Sequence, residues 1–147
     1  MEPGEVTSNH GFDPKRDEGM LRGAIERLKS EGIRISLFMD AIPGNMAGAA
    51  GLGADRVELY TGPYAAARTE AEISNEFARL KESHDAALDA GLALNAGHDL
   101  SLDNLPRLQV LPGIKEVSIG HAIISHALYV GLSRAVLDFR SACGQEV

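Results

Sequence analysis

Three short stretches of this chain hold residue types that can move protons or hold an anion. In Asn95-Ala96-Gly97-His98-Asp99, the glycine allows a sharp backbone turn, so that His98 can project into a cleft. An imidazole titrates near neutrality and can give or take a proton there. The competing reading is a hydrogen-bonded structural histidine at a strand end. In Ser118-Ile119-Gly120-His121-Ala122, a strand-like run meets glycine and then a helix start. Unpaired amides and the helix dipole favour an anion at such a place, unless the glycine serves only a tight turn. Glu58, flanked by Val57 and Leu59, must point to the face opposite them. If that face lines an enclosed interior, a carboxylate there is costly without a partner, and stabilising a cationic intermediate would account for it. On a one-sided sheet it is simply an exposed charge.

Other titratable residues carry weaker signals. Asp40 ends the run Leu37-Phe38-Met39 and reads as a cap on the following turn. His10 lies in a polar lead, His84 falls inside a helix at a boundary position, and His126 reads as a surface residue of the last helix. The five histidines are dispersed, with no H-x-x-x-H pair, so no metal site is expected. Neither G-x-G-x-x-G after a strand nor G-x-x-x-x-G-K-[ST] occurs, which leaves nucleotide-loop readings without support. The single cysteine, Cys143, forms no internal disulfide or thiolate cluster.

The elements that must position these residues alternate. Asp13-Pro14 reads as an N-cap followed by proline at the first helical position, with Leu21, Ile25 and Leu28 at helical spacing and a stop at Gly32. A strand follows over 34–40, a small-residue helix within 44–55, and a second strand over 56–62. Thr69 and Glu72 form a T-x-x-E capping box before Ile73, Phe77, Leu80 and Leu88, ending at Gly91. Residues 93–98 read as the third strand, 101–113 as a short helix capped by Ser101 and interrupted at Pro106, and 116–121 as the fourth strand. Ile124, Leu128, Leu132, Val136 and Phe139 predict one long final helix. Four strands alternating with helices imply an α/β fold with a parallel sheet. The reactive-looking residues Asp40, Glu58 with Thr61-Gly62, His98 and Gly120-His121 all fall at strand ends. Chemistry collects there in open α/β sheets and in barrels alike.

Composition sets outer limits. At 147 residues the chain suits one domain, whereas a complete (β/α)8 barrel needs about 250. Four β/α units are therefore half a barrel or a small open sheet, with edges that something should cover. A net charge of −7 argues against gripping nucleic acid but not against a small phosphorylated metabolite. No apolar run approaches the roughly 18 residues of a membrane span, and the opening is acidic and polar where a signal sequence would be basic, then apolar. A soluble, cytoplasmic protein is expected.

The segments PGEVTSNHGFD (3–13), SLFMD (36–40), VELYTGPYA (57–65), LNAGHDLSLDNL (94–105) and VSIGHAIISHAL (117–128) together resemble pyridoxine 5′-phosphate synthase. This is the (β/α)8 enzyme family that closes the pyridine ring of vitamin B6. The resemblance covers nearly the whole chain but only the later part of the family's barrel. It implies that residues 1–147 are a single half-barrel domain whose strands correspond to the family's fifth to eighth, with 1–13 following its fourth. It also implies condensation of 1-deoxy-D-xylulose 5-phosphate with 3-amino-2-oxopropyl phosphate, without metal or organic cofactor, in a homo-oligomer. Carried over by motif, His98 matches the proton donor and Glu58 the carboxylate that stabilises developing charge. Thr7 matches a contact to the pentulose phosphate. Asp99 occupies the position whose backbone touches the aminoketone phosphate, and Gly120 and His121 match its other phosphate contacts.

The family's first three strands supply further substrate-binding and catalytic residues, and no counterpart of those segments occurs here. The expectation is therefore little or no activity from this chain alone, with function restored by a complementing N-terminal half. Two other readings remain at this point: a non-catalytic, self-associating half-barrel that binds phosphate, and a different phosphosugar enzyme such as an epimerase.

Overall fold

A computed structural model describes residues 9–146; Thr7 lies outside them. The elements run α1 (Glu18–Ser30), β1 (Ser36–Met39), α2 (Pro43–Gly51), β2 (Arg56–Tyr60), α3 (Gly62–Ala66), α4 (Glu70–Asp89), β3 (Ala93–Gly97), α5 (Leu105–Leu108), β4 (Ile114–Ser118), α6 (His121–Val130) and α7 (Leu132–Ala142). The four strands form one sheet in the order β1-β2-β3-β4, parallel throughout. Each strand returns through helix, as parallel pairing requires. This is an α/β fold, part of a (β/α)8 barrel.

Alternation along the strands separates two faces. Leu37, Met39, Val57, Leu59 and Leu94 are buried and share one core with Leu21 and Ile25 of α1, Met46 and Ala49 of α2, Leu80 and Ala87 of α4, and Phe139 of α7. The opposite face carries Phe38, Arg56, Glu58 and Tyr60, all partly exposed, so Glu58 does point away from Val57 and Leu59. The small residues of α2 let it pack closely, and the capping box opens α4: the Thr69 hydroxyl accepts from the Glu72 amide while Glu72 accepts from the Thr69 amide.

The last strand contains an irregularity. Leu94 pairs with Ile114, but the next residue, Asn95, pairs with Glu116, leaving Lys115 as an extra residue in β4. Ile114 and Val117, three apart, thereby both pack against the core.

Several local expectations are corrected. Asp13 does not cap α1; its carboxylate accepts from the amides of Lys15 and Arg16 in a preceding turn, and α1 starts after Asp17. Pro106 lies in the first turn of α5 and begins that helix instead of interrupting it, because its missing N–H has no partner there in any case. The long final helix is two helices broken at Gly131, whose φ of 82° no right-handed helix accommodates. Asp40 does not use its side chain on the following turn; its carboxylate accepts from the Gly11 amide at 2.9 Å and fastens the leading segment to the end of β1.

Candidate active site

Register builds two rows on the open face of the sheet. Phe38, Glu58, Asn95 and Glu116 form one, and Tyr60, Gly97 and Ser118 form the next row toward the carboxyl ends. Gly97 makes the two rows compatible. Any side chain there would collide with Glu58 Oε1 and come within 3.0 Å of the Ser118 Cβ. The Glu58 carboxylate thus lies across the end of β3, against the residue that precedes His98. Arg56, two residues before Glu58 on the same face, is engaged by Glu116 at 3.6 Å and by Asn95 at 3.4 Å.

His98 leaves the strand with φ 96° and Asp99 follows with φ 57°; among the described residues these are the two non-glycine positions with positive φ. Such conformations cost roughly 1–3 kcal/mol each and persist only where the surroundings enforce them. The His98 ring stands edge-on to Tyr60 at 5.0 Å and lies 6.3 Å from Phe38, so three aromatic rings line the ends of three adjacent strands. Its Nδ1 is 3.0 Å from Asp99 Oδ2. A carboxylate only accepts, so Nδ1 carries the proton in that contact. Beneath the turn, the buried Thr61 hydroxyl meets both the Gly97 and the His98 carbonyls. Burial, and then the negative charges of Asp99 and Asp40, raise the Tyr60 phenol above its ordinary range, which keeps it a neutral hydroxyl.

Gly120 and His121 begin α6 two residues beyond Ser118, which pairs with Gly97. Both are exposed, and no side chain caps the helix. The turn is therefore beside the end of β3, with its first amides unclaimed by a side-chain cap. His98, Asp99, Glu58 and the Gly120-His121 turn come to one end of the sheet. A proton carrier, a carboxylate and a helix start without a side-chain cap thus stand at the same end of the sheet.

His84 and His126 lie elsewhere, in structural roles. His84 is buried in α4, with Nδ1 2.8 Å from Asp85 and Nε2 2.6 Å from the Pro112 carbonyl. His126 is not a free surface residue: its Nε2 donates to Asp138 at 2.8 Å, joining α6 to α7. Among the described residues no group of three His, Cys, Asp or Glu could hold a metal ion, and no helix is long and apolar enough to cross a membrane. Cys143 lies in a groove of about 350 Å³ along β4, and burial pushes its thiol up, away from the reactive thiolate. Sequence reasoning missed Tyr60 and Phe38 as parts of the mouth. Tyr60 shares the parity of Glu58, so alternation could have found it; Phe38 required the register.

Comparison with known proteins identifies the relatives of this chain. A family profile described as "Pyridoxal phosphate biosynthesis protein PdxJ" matches residues 2–145. Proteins named pyridoxine 5′-phosphate synthase are similar over most of the chain. That of Albidiferax ferrireducens is 52% identical over 143 residues, covering 97% of this chain and 57% of the relative. That of Mesorhizobium japonicum is 46% identical over 145 residues, covering 97% and 59%. That of Xanthomonas oryzae pv. oryzae is 52% identical over 134 residues, covering 90% and 52%. The chain thus spans a little over half the length of these relatives. With nearly every residue inside the matched profile, the chain belongs to the PdxJ family of pyridoxal phosphate biosynthesis proteins.

Proposed function

We propose that this chain provides the carboxyl-terminal part of a pyridoxine 5′-phosphate synthase site. The reaction condenses 1-deoxy-D-xylulose 5-phosphate with 3-amino-2-oxopropyl phosphate to give pyridoxine 5′-phosphate, inorganic phosphate and water. The observation that carries this reading is the Glu58 carboxylate laid across Gly97, immediately before His98. Imine formation, dehydration and ring closure each require proton transfers, and cationic character develops along that path. His98 donates protons, Glu58 stabilises the charge, and the Asp99 backbone with Gly120 and His121 holds the aminoketone phosphate. Thr7 contacts the pentulose phosphate.

Family members carry further catalytic residues on segments without a counterpart here, so this chain alone turns over little or nothing. The exposed apolar face of α6, with Leu128 82% and Tyr129 89% accessible, supports assembly with a complementing half or with further copies of the chain. The decisive assay measures pyridoxine 5′-phosphate formation by the chain alone and with a polypeptide supplying the remaining part of a relative. Expected are negligible product alone, product on complementation, and its loss in His98→Gln and Glu58→Gln. Turnover by the chain alone at the complemented rate overturns the need for a second part; complemented activity that survives both substitutions overturns the site.

The uncapped start of α6 favours a second reading, a half-barrel that binds phosphate without turnover. Phosphate raising the melting temperature of a complemented but inactive protein would establish it.

A further inference from the structure

Thr61 occupies the N-cap position of α3, where a threonine hydroxyl ordinarily accepts from an amide of the first turn. It makes no such bond. The side chain, fully buried, reaches back across the sheet to the end of β3, with Oγ1 2.7 Å from the Gly97 carbonyl and 2.5 Å from the His98 carbonyl. A hydroxyl has one proton, so the donation is shared between the two carbonyls. The Thr61 amide adds a third bond, to Gly97 O at 3.0 Å.

The two carbonyls belong to consecutive peptides on either side of the His98 Cα. Both turn toward Thr61 because His98 has φ 96°. Ordinary extended backbone points successive carbonyls in opposite directions and would leave one of them unbonded beside a buried hydroxyl. The shared donor thus favours the conformation that L-residues avoid. The same conformation carries the His98 ring to the edge of Tyr60 and sets its Nδ1 against Asp99.

We propose that Thr61 is a positioning residue: by bonding the Gly97 and His98 carbonyls, its hydroxyl holds the His98 turn so that the imidazole faces the mouth with Nδ1 protonated. The inference rests on the reading of His98 as the proton donor only for its effect on rate. Its structural content stands apart from catalysis.

The test pairs Thr61→Val, which keeps the shape and removes the hydroxyl, with Thr61→Ser, which keeps the hydroxyl. In the chain as it stands, long-range ¹H–¹⁵N spectra are recorded above the ordinary imidazole range, with His98 assigned through His98→Gln. The expected result is an Nδ1-protonated His98 in the parent and in Thr61→Ser, and an Nε2-protonated one in Thr61→Val. In the complemented enzyme, Thr61→Val lowers kcat about a hundredfold with little change in KM, as a displaced reacting group does, and Thr61→Ser restores most of it. Should Thr61→Val fail to fold, the parent decides: the Thr61 hydroxyl proton is slow to exchange and close in space to the His98 turn. An unchanged His98 signature in folded Thr61→Val, or a freely exchanging Thr61 hydroxyl in the parent, overturns the proposal. Complemented His98→Gln at full rate overturns the catalytic reading while leaving the positioning result to be judged from the spectra.

Discussion

Strands β3 and β4 are neighbours in one sheet, yet they meet their surroundings differently. In β3, Leu94 is fully buried and four of its five residues are inaccessible; β4 has no buried residue, and neither does α6 behind it. The first side of the molecule closes on its own core. The second ends in an apolar helix surface that nothing among the described residues covers. Apolar content alone therefore does not report burial. α6 is rich in aliphatic residues and still presents Ile124, Leu128 and Tyr129 outward, because burial also needs an opposing layer.

The sharpest way to break this contrast is to truncate one side chain from each region. Leu94→Ala should cost about 2–5 kcal/mol, the range for a fully buried leucine, and Leu128→Ala less than about 0.5 kcal/mol, as for an exposed position. Urea unfolding of both variants measures the difference, and equal losses would show that α6 is buried in solution. Next in size is Gly97→Ala. The added methyl group pushes the Glu58 carboxylate aside and presses on Ser118 Cβ at 3.0 Å, an overpacking at the low end of about 1–3 kcal/mol. With the carboxylate displaced, it should weaken product formation by the complemented enzyme more than it lowers the melting temperature. A melting loss without an activity loss would separate Glu58 from the site.

The smallest effect is a pH effect at the α6–α7 junction. The hydrogen bond from His126, followed by the charge of Arg134, holds the Asp138 carboxyl below its usual range. A carboxyl lowered in the folded state contributes stability above its unfolded value, about 3.9, and that contribution is lost as pH falls through the folded value. Protection factors in α6 and α7 should therefore fall below about pH 4, while those of the buried β1–β3 core hold. Uniform exchange across both regions would remove the distinction between them.

What could be read from the chain beforehand divides along a related line. Features written within a few residues were legible: the Thr69–Glu72 box, the strand alternation that aims Glu58, and Gly97 before a projecting His98. Features that depend on distant partners were not. Asp40 looked like a turn cap because its acceptor role toward Gly11 spans 29 residues of sequence. Thr61 reads only as one of the strand-end residues beside Glu58, and its bonds run to carbonyls 36 and 37 residues away. Gly131 does not stand out, because the apolar spacing continues through it and spacing does not report a positive φ. Asp13 and Asp17 are equally good caps by type, and only the backbone distinguishes them.

The extra residue at Lys115 has a consequence of parity. Side chains along a strand alternate like even and odd numbers, and one uncounted residue exchanges the two sets for everything downstream. Were Lys115 paired as a regular residue of the ladder, Val117 would turn toward the mouth and Ser118 toward the helices. The bulge that sets Lys115 aside thus keeps the fourth strand in phase with the other three.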